Sequence, residues 1–138
     1  MLSPPVTSTK KRLFEEAGYT KFTGYAEMFI KSLRFPESDV ENFDLVPVVL
    51  NTAVRSAHVT EEFDECQLMR PLPHDALRLR ECCNDLQRSS PIVLLHMPWL
   101  APDGCFYILS SYKMCLNMTL YSGRWRKDCI FIARRYRV

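Results

Sequence analysis

The chain has 138 residues, 47% hydrophobic and 25% charged, with a formal net charge of +2. This length supports one domain with a modest core, and the composition excludes extended disorder. So small a net charge gives no argument for nucleic acid by itself, although the charge is unevenly spread.

The chain reads as a single domain, 1–138, with residues 1–6 Pro-rich and extended. Thr7 or Ser8 can cap a helix through KKRLFEEA, and Gly18 can end it. Thr23 can cap the next helix, GYAEMFIKSLRF, whose Tyr25, Met28, Phe29 and Leu33 follow helical spacing. Pro36 stops it and opens a third, PESDVENF, with acids in its first turn as the helix dipole prefers. After Pro47, VVLNTAVRSA reads as helix, and TEEFDECQLM follows behind a Thr60 cap. The strongest helical pattern is PLPHDALRLRECCNDLQRSS. Its Leu77, Cys83 and Leu86 can face a core, while Arg78, Glu81, Asp85 and Arg88 face water.

Residues 91–138 stay open between sheet and helix. PIVLLHM, CFYILSSY, CLNMTLY and KDCIFIARRYRV are rich in β-branched and aromatic residues, and APDG and YSG are turn signals. Yet FYILSSYKMCLNMTLY could also form one long helix with a buried face. The apolar run IVLLHMPWLAP is too short to span a membrane. MLSPPVTSTKK lacks the apolar core of a signal peptide, and no Arg-rich presequence is evident.

Six cysteines, 66, 82, 83, 105, 115 and 129, read as free thiols rather than a disulfide scaffold. Zinc wants close ligand pairs; Cys66, His74, Cys82 and Cys83 offer none, so core thiols are favoured over a metal site. Cys105 and Cys115 make half of a paired C-x9-C motif. None of His58, His74 and His96 sits in a nucleophile motif, and the nucleotide-binding, zinc-protease and haem signatures are missing. The expectation is therefore no catalytic residue, no metal and no cofactor. The basic segment 124–138, RWRKDCIFIARRYRV, interleaves arginines with aromatics. Arg124, Arg126, Arg134, Arg135 and Arg137 could contact an anionic surface, and with Trp125 and Tyr136 could bind nucleic acid. The alternative is a solvated basic face.

AGYTKF, residues 17–22, resembles a segment of the matrix-side "binding protein" subunit family of ubiquinol–cytochrome c reductase, respiratory complex III. Ala17, Gly18, Tyr19, Lys21 and Phe22 fit that family's Ala-Gly-aromatic-x-Lys pattern. LMRPLP at 68–73, then Arg78 and Arg80, then Trp99 and FYIL at 106–109 follow the order of its second signature. Pro71 and about thirty extra residues between the patches depart from it, and the family's Asp-Asp pair is missing.

The resemblance implies a mainly α, open helical subunit whose core neighbouring chains complete. The residue pattern itself leaves an α+β alternative, with N-terminal helices and a C-terminal antiparallel sheet. The function implied is that of a non-catalytic accessory subunit, peripheral on the matrix side of the mitochondrial inner membrane. Its partners would be cytochrome b and the core subunits, with anionic lipid headgroups near the basic end. The contact residues implied are Tyr19, Lys21, Phe22, Arg70, Arg78, Arg80, Trp99 and Tyr107. Nucleic acid is the partner only in the alternative reading, a small basic-tailed α+β binding protein.

Overall fold

The computed structural model describes residues 6–34, 42–87 and 89–137. Helix α1 spans Val6–Glu16. It ends where the Tyr19 amide donates to Phe14 O at 3.2 Å and Gly18 adopts φ +107°. That left-handed conformation is cheap only for glycine. Because α1 begins at Val6, Thr7 and Ser8 lie inside the helix rather than capping it, and residues 1–5 of the stretch expected to be extended lie outside the described residues. Strand β1, Lys21–Thr23, takes the place expected for a cap. Helix α2, Ala26–Ser32, follows and buries Ala26, Phe29 and Ile30, while Met28 is exposed. Lys11 and Glu27, 2.8 Å apart, tie the two helices together.

The helix expected over 36–43 lies mostly outside the described residues. Strand β2, Phe43–Val49, runs straight through Pro47. A proline is tolerated there because, among the described residues, β2 is an edge strand with no partner on its outer side. Strand β3, Val54–Arg55, leads into α3, Ser56–Glu65, so the helix predicted over 48–57 is the end of β2, a bend and β3, with only its last two residues helical. Thr60 lies within α3, its hydroxyl donating to Ala57 O at 3.0 Å.

The long helix predicted over 71–90 is likewise absent. A 3-10 segment, Pro73–Arg78, is followed by α4, the single turn Arg80–Cys83. Ala76, Leu79 and Cys83 are buried there, and Leu86 is exposed. Beyond it come β4 (Ile92–Leu100), β5 (Phe106–Tyr112), β6 (Cys115–Leu120), β7 (Arg124–Trp125) and β8 (Ile130–Tyr136).

Six strands form one mixed sheet in the order β1-β6-β5-β4-β8-β2, and β3 pairs with β7. The β1–β6 and β4–β8 pairs are parallel and the rest antiparallel. Among the described residues the protein is α+β, with more residues in strands than in helices, which overturns the mainly α expectation. The C-terminal antiparallel sheet of the alternative also needs amending, since β1 and β2 enter from the N-terminal half.

Alternation along the strands explains the layers. Ile92 and Leu94 of β4 face a core with Phe14, Tyr19, Phe29, Ile30, Leu79 and Leu116, beneath α1, α2, the 3-10 segment and α4. Val93 and Leu95 face the opposite core, with Val59, Phe63, Trp125 and Phe131, beneath α3 and the β3–β7 ribbon. Strand β4 is buried on both faces, which is why IVLL is continuously apolar. Among the described residues, no helix is long and apolar enough to cross a membrane.

Candidate functional site

The residues implied by the family resemblance fall into two groups. The first serves this chain's own fold. Tyr19 is buried and its hydroxyl donates to Ala76 O at 2.7 Å, while burial pushes its pKa up. It is a core residue, not an anchor for a partner's groove. Phe22 is half-buried with the Lys11 ammonium 5.4 Å from its ring centroid, and Lys21 is exposed. Arg78 pairs with Glu81 at 2.9 Å. Arg80 donates to Glu16 O at 3.1 Å, at the carbonyl end of α1 where a cation is favoured.

The second group, Arg70, Trp99 and Tyr107, stands at one end of the sheet. Arg70 donates to the Tyr121 hydroxyl at 3.2 Å, and its Nη1 lies 3.6 Å from Met97 Sδ. Trp99 packs on Tyr25 and Phe29. The Tyr107 hydroxyl donates to Asp103, whose carboxylate raises the phenol pKa to about 12. Large apolar side chains are exposed at the same end. Leu100 and Phe106 are cross-strand partners, 57% and 52% exposed. Leu120, opposite Tyr107, is 42% exposed, and Met97 is 74% exposed. Isolated exposed apolar residues need no explanation, but Leu100 paired with Phe106, and Met97 with Arg70 beside it, place several at the same strand ends, with Leu120 on the other face of the sheet, as a contact surface does.

The basic C-terminal residues do not form one patch. Arg134 is buried and clamps Asp75 with two bonds of 2.7 Å, from Nε and Nη2, while its guanidinium lies over the Phe43 ring. Asp75 Oδ2 also accepts the Leu72 amide, so the pair pins the 3-10 segment to β8. Arg137 pairs with Asp44 at 2.9 Å. Arg134 is thus withdrawn from any anionic contact, and Trp125, buried with its indole donating to Ser56 Oγ, is no stacking platform. Tyr136 rests on Phe43. Arg124 and Arg135 are exposed with no hydrogen-bond or ion-pair partner among the described residues, and Arg126 lies 3.5 Å from Asp128.

Arg124 and Arg126 instead rim a trough of about 410 Å³ on the part of the sheet that α3 leaves uncovered. Pro91, Val93, Trp125 and Cys129 give it an apolar side. Thr23, Ser110, Asn117 and Thr119 give it a polar one, and Tyr112 stands at the margin. Ser110 Oγ and Thr119 Oγ1 are 2.8 Å apart, and the Thr23 hydroxyl donates to Asn117 Oδ1 at 2.9 Å. Those bonds leave the two Asn117 amide hydrogens without a partner among the described residues.

His96, 1% exposed, sits where the β4–β5 register shifts between Leu94 and Trp99. Its Nε2 accepts the Leu109 amide at 3.0 Å and its Nδ1 is 2.7 Å from Met97 O. The neutral imidazole therefore bonds backbone groups that the bulge leaves unpaired. Desolvation lowers its pKa from 6.5 to about 4. The six cysteines are free. Cys82 and Cys83 sulfurs are 3.6 Å apart; that contact lowers the Cys82 pKa, and Cys83 is pushed up. Among the described residues, no three His, Cys, Asp or Glu side chains are placed to hold a metal ion.

Sequence reasoning missed the trough, the Asp75–Arg134 clamp and the exposed apolar strand ends. The alternation in CFYILSSY and CLNMTLY, with Ser110, Asn117 and Thr119 on one face, was the available signal for the trough. No protein-family model matches the chain, and neither a curated protein nor a solved structure is significantly similar to it.

Proposed function

We propose that this chain is a non-catalytic accessory subunit that docks on a larger protein assembly through the exposed strand ends of β4, β5 and β6. The observation carrying this reading is the exposed cross-strand pair Leu100 and Phe106, at the same strand ends as exposed Met97, which Arg70 approaches to 3.6 Å, while Leu120 is exposed on the other face of the sheet beside Trp99 and Tyr107. Burying such a group on a partner removes apolar area from water at roughly 25 cal/mol per Å², and half-buried aromatics with an arginine at the margin are typical anchors.

The resemblance in AGYTKF and LMRPLP supports respiratory complex III as the assembly, with cytochrome b and the core subunits as neighbours at the matrix face of the inner membrane. The helical architecture which that resemblance implies is not the architecture of this chain, so the assembly's identity rests on the two sequence patches alone. The contact residues of this reading are Arg70, Trp99 and Tyr107 with the apolar group, while Tyr19 and Arg80 act within the fold.

The test is native-gel separation of detergent-solubilised mitochondria, with mass spectrometry for this chain across the bands. Comigration with cytochrome b and the core subunits, lost in a Leu100→Asp/Phe106→Asp variant that keeps its circular dichroism, is the expected result. Comigration with a different assembly overturns the complex III assignment, and migration as a free chain overturns the accessory-subunit reading.

A further inference from the structure

We infer that the trough between β1, β5, β6 and β7 is a binding site for a nucleoside phosphate. This is independent of the docking surface, which involves the opposite ends of β5 and β6 and other residues.

The lining argues for an anion first. Two guanidiniums, Arg124 and Arg126, stand at the rim, and no carboxylate lines the trough among the described residues. Arg124 is exposed and unpaired among those residues, so it needs no partner exchange to bind; Arg126 has only Asp128, at 3.5 Å. A guanidinium matches phosphate oxygens with paired donors.

The rest of the lining argues for a planar heterocycle attached to that anion. Inorganic phosphate would use the rim alone. Val93, Trp125, Cys129 and Pro91 offer an apolar bed beside the arginines. On the other side Asn117 presents two free amide hydrogens, and the Ser110–Thr119 hydroxyl pair can donate or accept. Tyr112, 46% exposed, has the Lys113 ammonium 5.3 Å from its ring centroid, which leaves one ring face on which a base can stack. A volume of about 410 Å³ falls within the range typical of small-molecule pockets. Amide and hydroxyl donors next to an apolar bed suit base edges and ribose hydroxyls.

Two sources share this chemistry: a free mononucleotide, and one nucleotide of a single strand. The probes are AMP, UMP, inorganic phosphate, and hexameric rA and rU, titrated by isothermal calorimetry against the full chain at 50 and 200 mM salt. A nucleotide Kd at least tenfold below that of inorganic phosphate is expected. It should rise at least tenfold in Arg124→Ala/Arg126→Ala, and about fivefold or more in Tyr112→Ala. Both changes are on exposed side chains, and circular dichroism reports whether the fold is kept. Should the double variant lose its fold, Tyr112→Ala and Arg124→Ala singly give the same reading. A hexamer binding far tighter than the monomer, with a steep salt slope, assigns a strand as the source; equal affinities assign the free nucleotide. Absence of binding at millimolar nucleotide, phosphate binding as well as nucleotide does, or unchanged affinity in folded arginine and tyrosine variants overturns the proposal.

Discussion

Replacing His96 by glutamine should remove a large part of this protein's sensitivity to acid. The buried imidazole is held neutral, with a pKa of about 4 against 6.5 for a free histidine. Between those two values the unfolded chain binds a proton that the folded chain refuses. Stability therefore rises with pH across that window, is complete above pH 6.5, and is lost as pH falls towards 4. At about 1.4 kcal/mol per pH unit, the window corresponds to about 3 kcal/mol. That is a large share of a domain stability of roughly 5–15 kcal/mol. Glutamine can keep an acceptor for the Leu109 amide without titrating. Urea unfolding at pH 7.5 and pH 4.0 checks this, because carboxylates titrate alike in both proteins and cancel in the difference. Wild type should lose about 3 kcal/mol more than His96→Gln on acidification. Parallel losses would refute the argument, because they would mean that the folded imidazole takes up its proton as readily as the unfolded one.

Asp75→Ala should cost about 3–5 kcal/mol in urea unfolding, because it takes away the carboxylate that two 2.7 Å bonds from the buried Arg134 guanidinium engage. The double change Asp75→Leu/Arg134→Met should recover most of that loss. In the β5–β6 turn, Lys113 and Met114 have φ of 51° and 61°. Lys113→Gly should therefore raise stability by up to about 1 kcal/mol by relieving left-handed backbone strain at an exposed position; an unchanged thermal midpoint would count against the strain.

Much of the chain was legible wherever local rules decided the outcome. Gly18 does end α1, and APDG and YSG do separate strands. Residues 71–90 show the opposite case. The pattern of Leu77, Cys83 and Leu86 suits a helix, but Pro71 and Pro73 deny it early amides. Asp75 is committed to Arg134, 59 residues away, and no local reading contains that contact. Strand β2 misled for a related reason: Pro47 reads as a break unless the strand is known to be an edge. The C-terminal basic run looked like one surface. Strand alternation and tertiary pairing instead send Arg134 inward, leave Arg135 outside and set Arg124 and Arg126 beside a trough built from other strands. The tight β5–β6 turn carried no glycine or asparagine to announce it.

The sheet order also has a consequence for how the chain comes off the ribosome. Strand β2 pairs along its whole length with β8, and β1 finds its place only beside β6. About 80 residues separate the end of β2 from the start of β8. At roughly 5–20 residues per second, the first-made half waits about 4–16 s for its partner. During that interval the Val46–Val49 segment has no hydrogen-bonding neighbour of its own chain. Proline at 47 interrupts a stretch that would otherwise be an apolar template for other nascent chains. The same residue that made β2 hard to recognise thus guards it while the strand stands alone.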